Sequence, residues 1–121
     1  MVNGMPIITI ILQGAPYGSE RTYNGLRTAM ALQKEENVIV KVFLFADATF
    51  CALKGQTTPD GYYNIGRMIR YLAKKGKVGC CGSCMDARGI GKDVQLIENV
   101  QRSSVDELKD WILTSDKVIN F

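Results

Sequence analysis

The chain has 121 residues, 46% of them apolar and 22% charged, and 15 basic against 12 acidic side chains leave it a net charge of +3. This balance argues against disorder and leaves room for one domain over 1–121, burying roughly two-thirds of its unfolded surface. So small a basic excess gives no expectation of direct nucleic-acid binding, and no apolar run nears the ~20 residues that span a bilayer.

Met1-Val2-Asn3-Gly4-Met5 lacks the charged start of an export leader, and the apolar run behind it is too short for a leader's core. We therefore expect a cytoplasmic protein. The four cysteines then fall in a reducing compartment, where catalysis, redox chemistry or metal binding is commoner than a structural disulfide. Histidine is absent. Imidazole bases, serine triads and histidine-containing zinc sites are thereby excluded within the chain.

In chain order, Ile7 to Leu12 is a β-branched apolar run ended by Gly14 and Pro16, which predicts a strand buried on both faces. Ser19 is placed to cap a helix running to about Glu35, with Tyr23, Leu26 and Met30 on one face. Residues 38–46, broken only by Lys41, predict a second buried strand. A short helix over 47–54 follows, with Asp47 as its cap and Gly55 as its stop. Pro59-Asp60-Gly61 opens a stronger helix whose inner stripe is Ile65, Met68, Ile69 and Leu72, closed by Lys74-Lys75-Gly76. Residues 77–81 are a third strand, and 82–88 a helical turn. A short extended piece is expected at 96–100. Ser104 and Glu107 form a capping box before Val105, Leu108 and Ile112, and 117–121 is the last strand. Strands alternating with helices predict an α/β fold, a three-layer α/β/α sandwich on a mostly parallel sheet of four to five strands.

Chemistry concentrates where the third strand meets its helical turn, in Val78-Gly79-Cys80-Cys81-Gly82-Ser83-Cys84-Met85-Asp86-Ala87-Arg88-Gly89. Ligands of open α/β sheets bind at the carboxyl ends of strands, and a thiol there faces groups that favour thiolate, the nucleophilic form. Cys81 and Cys84 are three residues apart and share a helical face, so we take both as catalytic candidates, with Cys81 expected partly exposed at the end of the third strand. Cys80, next to Cys81 in a strand, must point to the other side of the sheet. For Cys80 and Cys51 the simpler role is that of small core hydrophobes. A structural zinc site needs four ligands, and one cysteine pair would require the rest from another subunit, so no metal and no resident cofactor are expected.

These residues carry a family likeness. The chain resembles the DsrE/DsrF-like sulfur-relay family nearly end to end, and most closely its small stand-alone members. The likeness takes in the small-residue loop after the first strand, Phe45-Ala46-Asp47-Ala48, Lys54-Gly55-Gln56, Gly61-Tyr62, the cysteine segment through Ile90, and the ending 115–121. It implies that Cys81, eight residues before Gly89, carries sulfur as a persulfide, as the cysteine of the relay subunits does. Cys84 matches the second cysteine of the stand-alone members and has no counterpart in the relay subunit of tRNA thiolation. Resemblance further implies a homo-oligomer, commonly a trimer or hexamer, and a sulfur-carrier protein as partner. The function expected is transfer of sulfane sulfur, a sulfurtransferase activity if the protein is an enzyme. Two alternatives stand beside it: a non-catalytic oligomeric scaffold or small-ligand module, and a Cys81/Cys84 redox dithiol.

Weaker signals remain. Gly14 to Ser19 sits where nucleotide folds place a phosphate loop, but lacks that motif's lysine and glycine spacing, so a plain turn is expected. Arg67, Arg70, Lys74, Lys75 and Lys77 read first as a solvated face and second as a dock for an acidic carrier. Asp47 reads as a helix cap before a general base. The apolar stretch Ala48, Phe50, Cys51, Ala52 and Leu53 is expected to lie partly in subunit contacts.

Overall fold

β-Branched apolar runs form the centre of the sheet, as their burial on both faces requires. The computed structural model describes residues 4–121; the reading of Met1, Val2 and Asn3 as the start of a non-exported chain lies outside them. Five strands form one sheet in the order β4-β3-β2-β1-β5: β1 (Ile7–Leu12), β2 (Ile39–Leu44), β3 (Lys77–Cys81), β4 (Val100–Ser103) and β5 (Lys117–Asn120). Every pairing is parallel. The helices are α1 (Arg21–Gln33), α2 (Ile65–Lys75), α3 (Gly82–Ala87) and α4 (Val105–Thr114), with a 3-10 segment at Ala46–Ala52.

The period of two along the strands divides the core. Ile8, Ile10, Leu12, Val40, Val42, Leu44, Val78 and Cys80 face Leu26 and Ala29 of α1 and Ile65, Ile69 and Leu72 of α2. Ile11, Phe43 and Cys81 face the opposite way, toward Leu108 and Trp111 of α4. The expected three-layer α/β/α architecture is present, with two long helices on one side of the sheet and one on the other.

Several local readings need correction. The cap of α1 is Glu20, with no side-chain bond; Ser19 instead accepts from the Arg21 N–H at 3.4 Å. Pro59-Asp60-Gly61 forms a turn ahead of the helix rather than its first residues. The helix starts at Ile65, and the Asn64 side chain caps it by accepting from Arg67 N–H at 3.0 Å. The extended piece expected at 96–100 lies later, as β4, while Leu96 makes only an isolated bridge to Leu53. Ser104 caps α4 through the Glu107 N–H, but the Glu107 carboxylate accepts from Ser103 Oγ, so the capping box is half formed. Ala48, Cys51 and Ala52 are fully buried, and Phe50 and Leu53 pack on the same core. Three residues of that stretch are thus covered by its own chain, and only Phe50 and Leu53 keep part of their surface exposed.

Candidate functional site

Cys81 is the last residue of β3, and Cys84 lies one turn into α3. Gly82 between them admits a close approach, since a Cβ there would sit 3.1 Å from Arg102 Nε and 3.2 Å from the Ser103 carbonyl. Arg102, from β4, fastens the turn: its guanidinium donates to the Gly82 carbonyl at 3.0 Å, to the Asp86 carboxylate and to Met85 Sδ. At the turn's other end Arg88 donates to the Cys84 carbonyl at 3.1 Å and to Asp47 Oδ1 at 2.8 Å. Asp47 does not cap the 3-10 segment, as expected of it; Phe45 holds the cap position, and the Asp47 carboxylate orients Arg88.

Exposure separates the two thiols in the sense opposite to the usual picture of a nucleophile. Cys81 is 1% exposed, against Phe43, Trp111, Leu108 and Ile11, while Cys84 is half-buried at the rim of that cluster. Burial by itself pushes the Cys81 thiol up. Hydrogen bonds to its sulfur from Ser83 Oγ (3.3 Å), from the Cys84 thiol, and from the backbone N–H groups of Ser83 and Cys84 outweigh it, and the thiol lies below its ordinary value. Cys84 lies above its ordinary value: burial and its role as donor to Cys81 outweigh help from the Ala46 N–H and from Arg88. Ala46 holds φ at +50°, a conformation that costs a non-glycine residue roughly 1–2 kcal/mol. The strain sits where the segment after β2 turns back against the thiol pair.

The remaining cysteines belong to the core. Cys80 faces the α1/α2 side, fully buried, with its thiol toward the Thr49 carbonyl at 3.8 Å, and burial pushes it up to about 12. Cys51 is likewise fully buried and shifted upward by that burial, with Cys80 adding to the shift. Both stay protonated at neutral pH and inert as nucleophiles. Among the described residues no three cysteine or carboxylate side chains converge as ligands for a metal ion. The loop from Gly14 to Ser19 is a plain turn: the Gly14 carbonyl accepts from Thr22 Oγ, and Tyr17 donates to Gln56.

Sequence reasoning missed Arg102, Arg88 and Ser83. Ser83 carried a signal, lying inside the C-x-x-C, whereas Arg102 reaches the site only through the β3–β4 pairing.

Against this geometry the comparisons with known proteins are decisive for the family. A model of the DsrE/DsrF-like family matches residues 7–121. The chain belongs to that family. It is similar to protein YchN of Escherichia coli, 42% identical over 97% of this chain and the whole of that one. The crystal structure of the E. coli YchN protein superposes with a TM-score of 0.91, at 41% identity and over 97% of this chain and all of that chain. A more distant relative is the sulfurtransferase TusD of Buchnera aphidicola, 26% identical and covering 93% of this chain and 98% of that protein. No helix among the described residues is long and apolar enough to cross a membrane.

Proposed function

We propose that the chain carries sulfane sulfur, held as a persulfide on Cys81. The observation that supports it most is the set of hydrogen bonds converging on a buried strand-end sulfur, in a family with a sulfurtransferase among its members. Cys81 thiolate attacks the outer sulfur of a donor persulfide; a sulfur–sulfur bond forms on Cys81 as the donor's breaks, and the donor leaves as a thiolate. In the onward step an acceptor thiolate attacks the outer sulfur and Cys81 leaves as thiolate. No net oxidant is needed. The same donors that lower the Cys81 thiol make it a better leaving group in that second step. Burial against Phe43 and Trp111 shields the stored sulfur from stray thiols, and the turn bearing Cys84 must give way for loading. Intact-mass analysis after incubation with inorganic polysulfide tests this: the wild type gains one sulfur atom, placed on Cys81 by fragmentation of the peptide it shares with Cys80 and Cys84. No adduct, or an adduct on Cys51 or Cys80, overturns it.

One observation favours a second reading, the redox dithiol: the Cys84 thiol is hydrogen-bonded to Cys81, within reach of a disulfide. A wild type that forms this disulfide reversibly yet never gains sulfur would replace the first reading with the second.

A homo-oligomer, a trimer or a multiple of three, remains part of the proposal, and α4 adds a second apolar surface to the partly exposed Phe50 and Leu53. Val105, Ile112 and Leu113 are exposed on the outer face of α4 and edge an apolar groove of about 190 Å³. Sedimentation should show the oligomer at micromolar concentration, and Leu113→Glu should shift it toward monomer. Monomer alone in the wild type would refute this.

A further inference from the structure

The amino-terminal edge of the sheet, roughly 13 Å along β3 from Cys81, carries a feature that sulfur chemistry does not use. Lys41 of β2 and Lys77 of β3 are direct partners in the parallel register, so two like charges project from adjacent strands on the α4 side. Such a pairing destabilises a sheet, and a neutral residue at either position would relieve it. Lys41 is half-buried, its ammonium 5.4 Å above the Trp111 ring, and it is held below its ordinary value by burial and by Lys77. Glu107 is the carboxylate that acts on it in the other direction, and that carboxylate is already bonded to Ser103.

Lys41 and Lys77 open onto a pocket of about 520 Å³, which Lys74, Asn99 and Gln101 also line, and no acidic side chain does. Lys75 borders it too, but its ammonium donates to the Gln33 carbonyl. Among the described residues, none of the ion pairs includes Lys41, Lys74 or Lys77. A lysine on an exposed helix can turn its charge into water. Lys41 has no such freedom, because it leaves a central strand beneath α4. Repulsion kept at a fixed rung of the sheet, facing an open pocket, is the pattern of a site whose counter-charge arrives from outside.

We propose that this pocket binds the phosphate chain of an oligophosphate, free or borne by a nucleotide. Three unpaired ammonium groups call for an anion with at least three charges, and lysine meets phosphate as a point charge. The amides of Asn99 and Gln101 add neutral donors at the same mouth. The site is independent of the thiol pair and stands or falls without it.

Calorimetric titration of the full chain with inorganic triphosphate, and in parallel with adenosine triphosphate, tests the assignment. Saturable binding to the wild type is expected, weakening as salt rises from roughly 20 to 150 mM. Lys41→Met, which keeps the apolar stem on Trp111, and Lys77→Gln should each weaken it about tenfold. Without ligand both variants should unfold no earlier than the wild type, since each removes the repulsion. Lys92→Gln, with the same change in net charge, should bind as the wild type does. Equal affinity for both ligands places recognition in the phosphate chain, and tighter binding of the nucleotide adds a nucleoside contact; either supports the site. No saturable binding at low salt, an equal loss in Lys92→Gln, or equal competition by hexaglutamate would overturn it.

Discussion

Cys81→Ser is expected to leave the protein unable to retain sulfur from polysulfide, while Cys84→Ser still gains one sulfur atom. The asymmetry follows from the hydrogen bonds. Cys81 collects four donors, including the Cys84 thiol itself, whereas Cys84 receives only the Ala46 N–H and help from Arg88, so negative charge settles on Cys81 and Cys84 keeps its proton. Serine at 81 retains the hydrogen bonds but supplies no nucleophile at neutral pH. Serine at 84 preserves a donor to Cys81 and removes the thiol that could attack its persulfide. That attack would form the Cys81–Cys84 disulfide and release hydrosulfide, so the adduct should also last longer in Cys84→Ser. Measurement is by intact mass over time after the donor is removed. Equal adducts in the wild type and in Cys81→Ser would place the chemistry on another thiol. Complete loss in Cys84→Ser alone would favour the dithiol reading. Reactivity toward a small alkylating agent should carry the same sign: Cys81 becomes reactive at lower pH than an ordinary thiol, and Cys84 at higher pH.

How much of this was legible beforehand depends on where each residue's partners lie. The strands β1, β2 and β3 were readable because apolar β-branched runs are dictated by burial on both faces. The split between Cys80 and Cys81 was readable for the same geometric reason, a period of two. Strand β4 was not: of Val100, Gln101, Arg102 and Ser103 only Val100 is buried, so an edge strand with polar side chains left no apolar signature. The start of α2 was misplaced because Pro59 and Gly61 are strong local signals. The deciding cap, Asn64, takes its place within a tertiary network in which its amide donates to the Gln56 carbonyl and Tyr17 accepts from the Ile65 N–H. At the site, sequence put the thiols together but expected Cys81 to be partly exposed. It is buried because Phe43 and Trp111 cover it from β2 and α4, and nothing in the local segment announces a lid from 38 residues before it and 30 after it. The Arg102 clamp was hidden for the same reason.

The second large effect concerns that lid. Phe43→Ala is expected to destabilise the protein by about 3–5 kcal/mol, a large part of the 5–15 kcal/mol available to a domain. Phe43 is 0% exposed and meets two rings edge-on, Phe45 at 5.0 Å and Trp111 at 5.7 Å between centroids. Truncation removes both contacts and leaves a void beneath α4, where Gly79 offers no side chain to fill it; a Cβ there would already lie 3.1 Å from Trp111. The melting temperature should fall by roughly 10–20 °C, read by calorimetry or circular dichroism. Phe43→Leu keeps most of the volume and should lose only about 1–1.5 kcal/mol, which keeps the comparison informative if the alanine variant is too unstable to purify. The same pair of variants separates stability from chemistry. Because Phe43 packs on Cys81, a smaller side chain opens the sulfur to solvent thiols, and the stored sulfur should be lost faster even in the folded Phe43→Leu protein. An unchanged adduct lifetime in that variant would mean that the aromatic cover protects the fold and not the sulfur. Shielding would then have to come from the turn that carries Cys84.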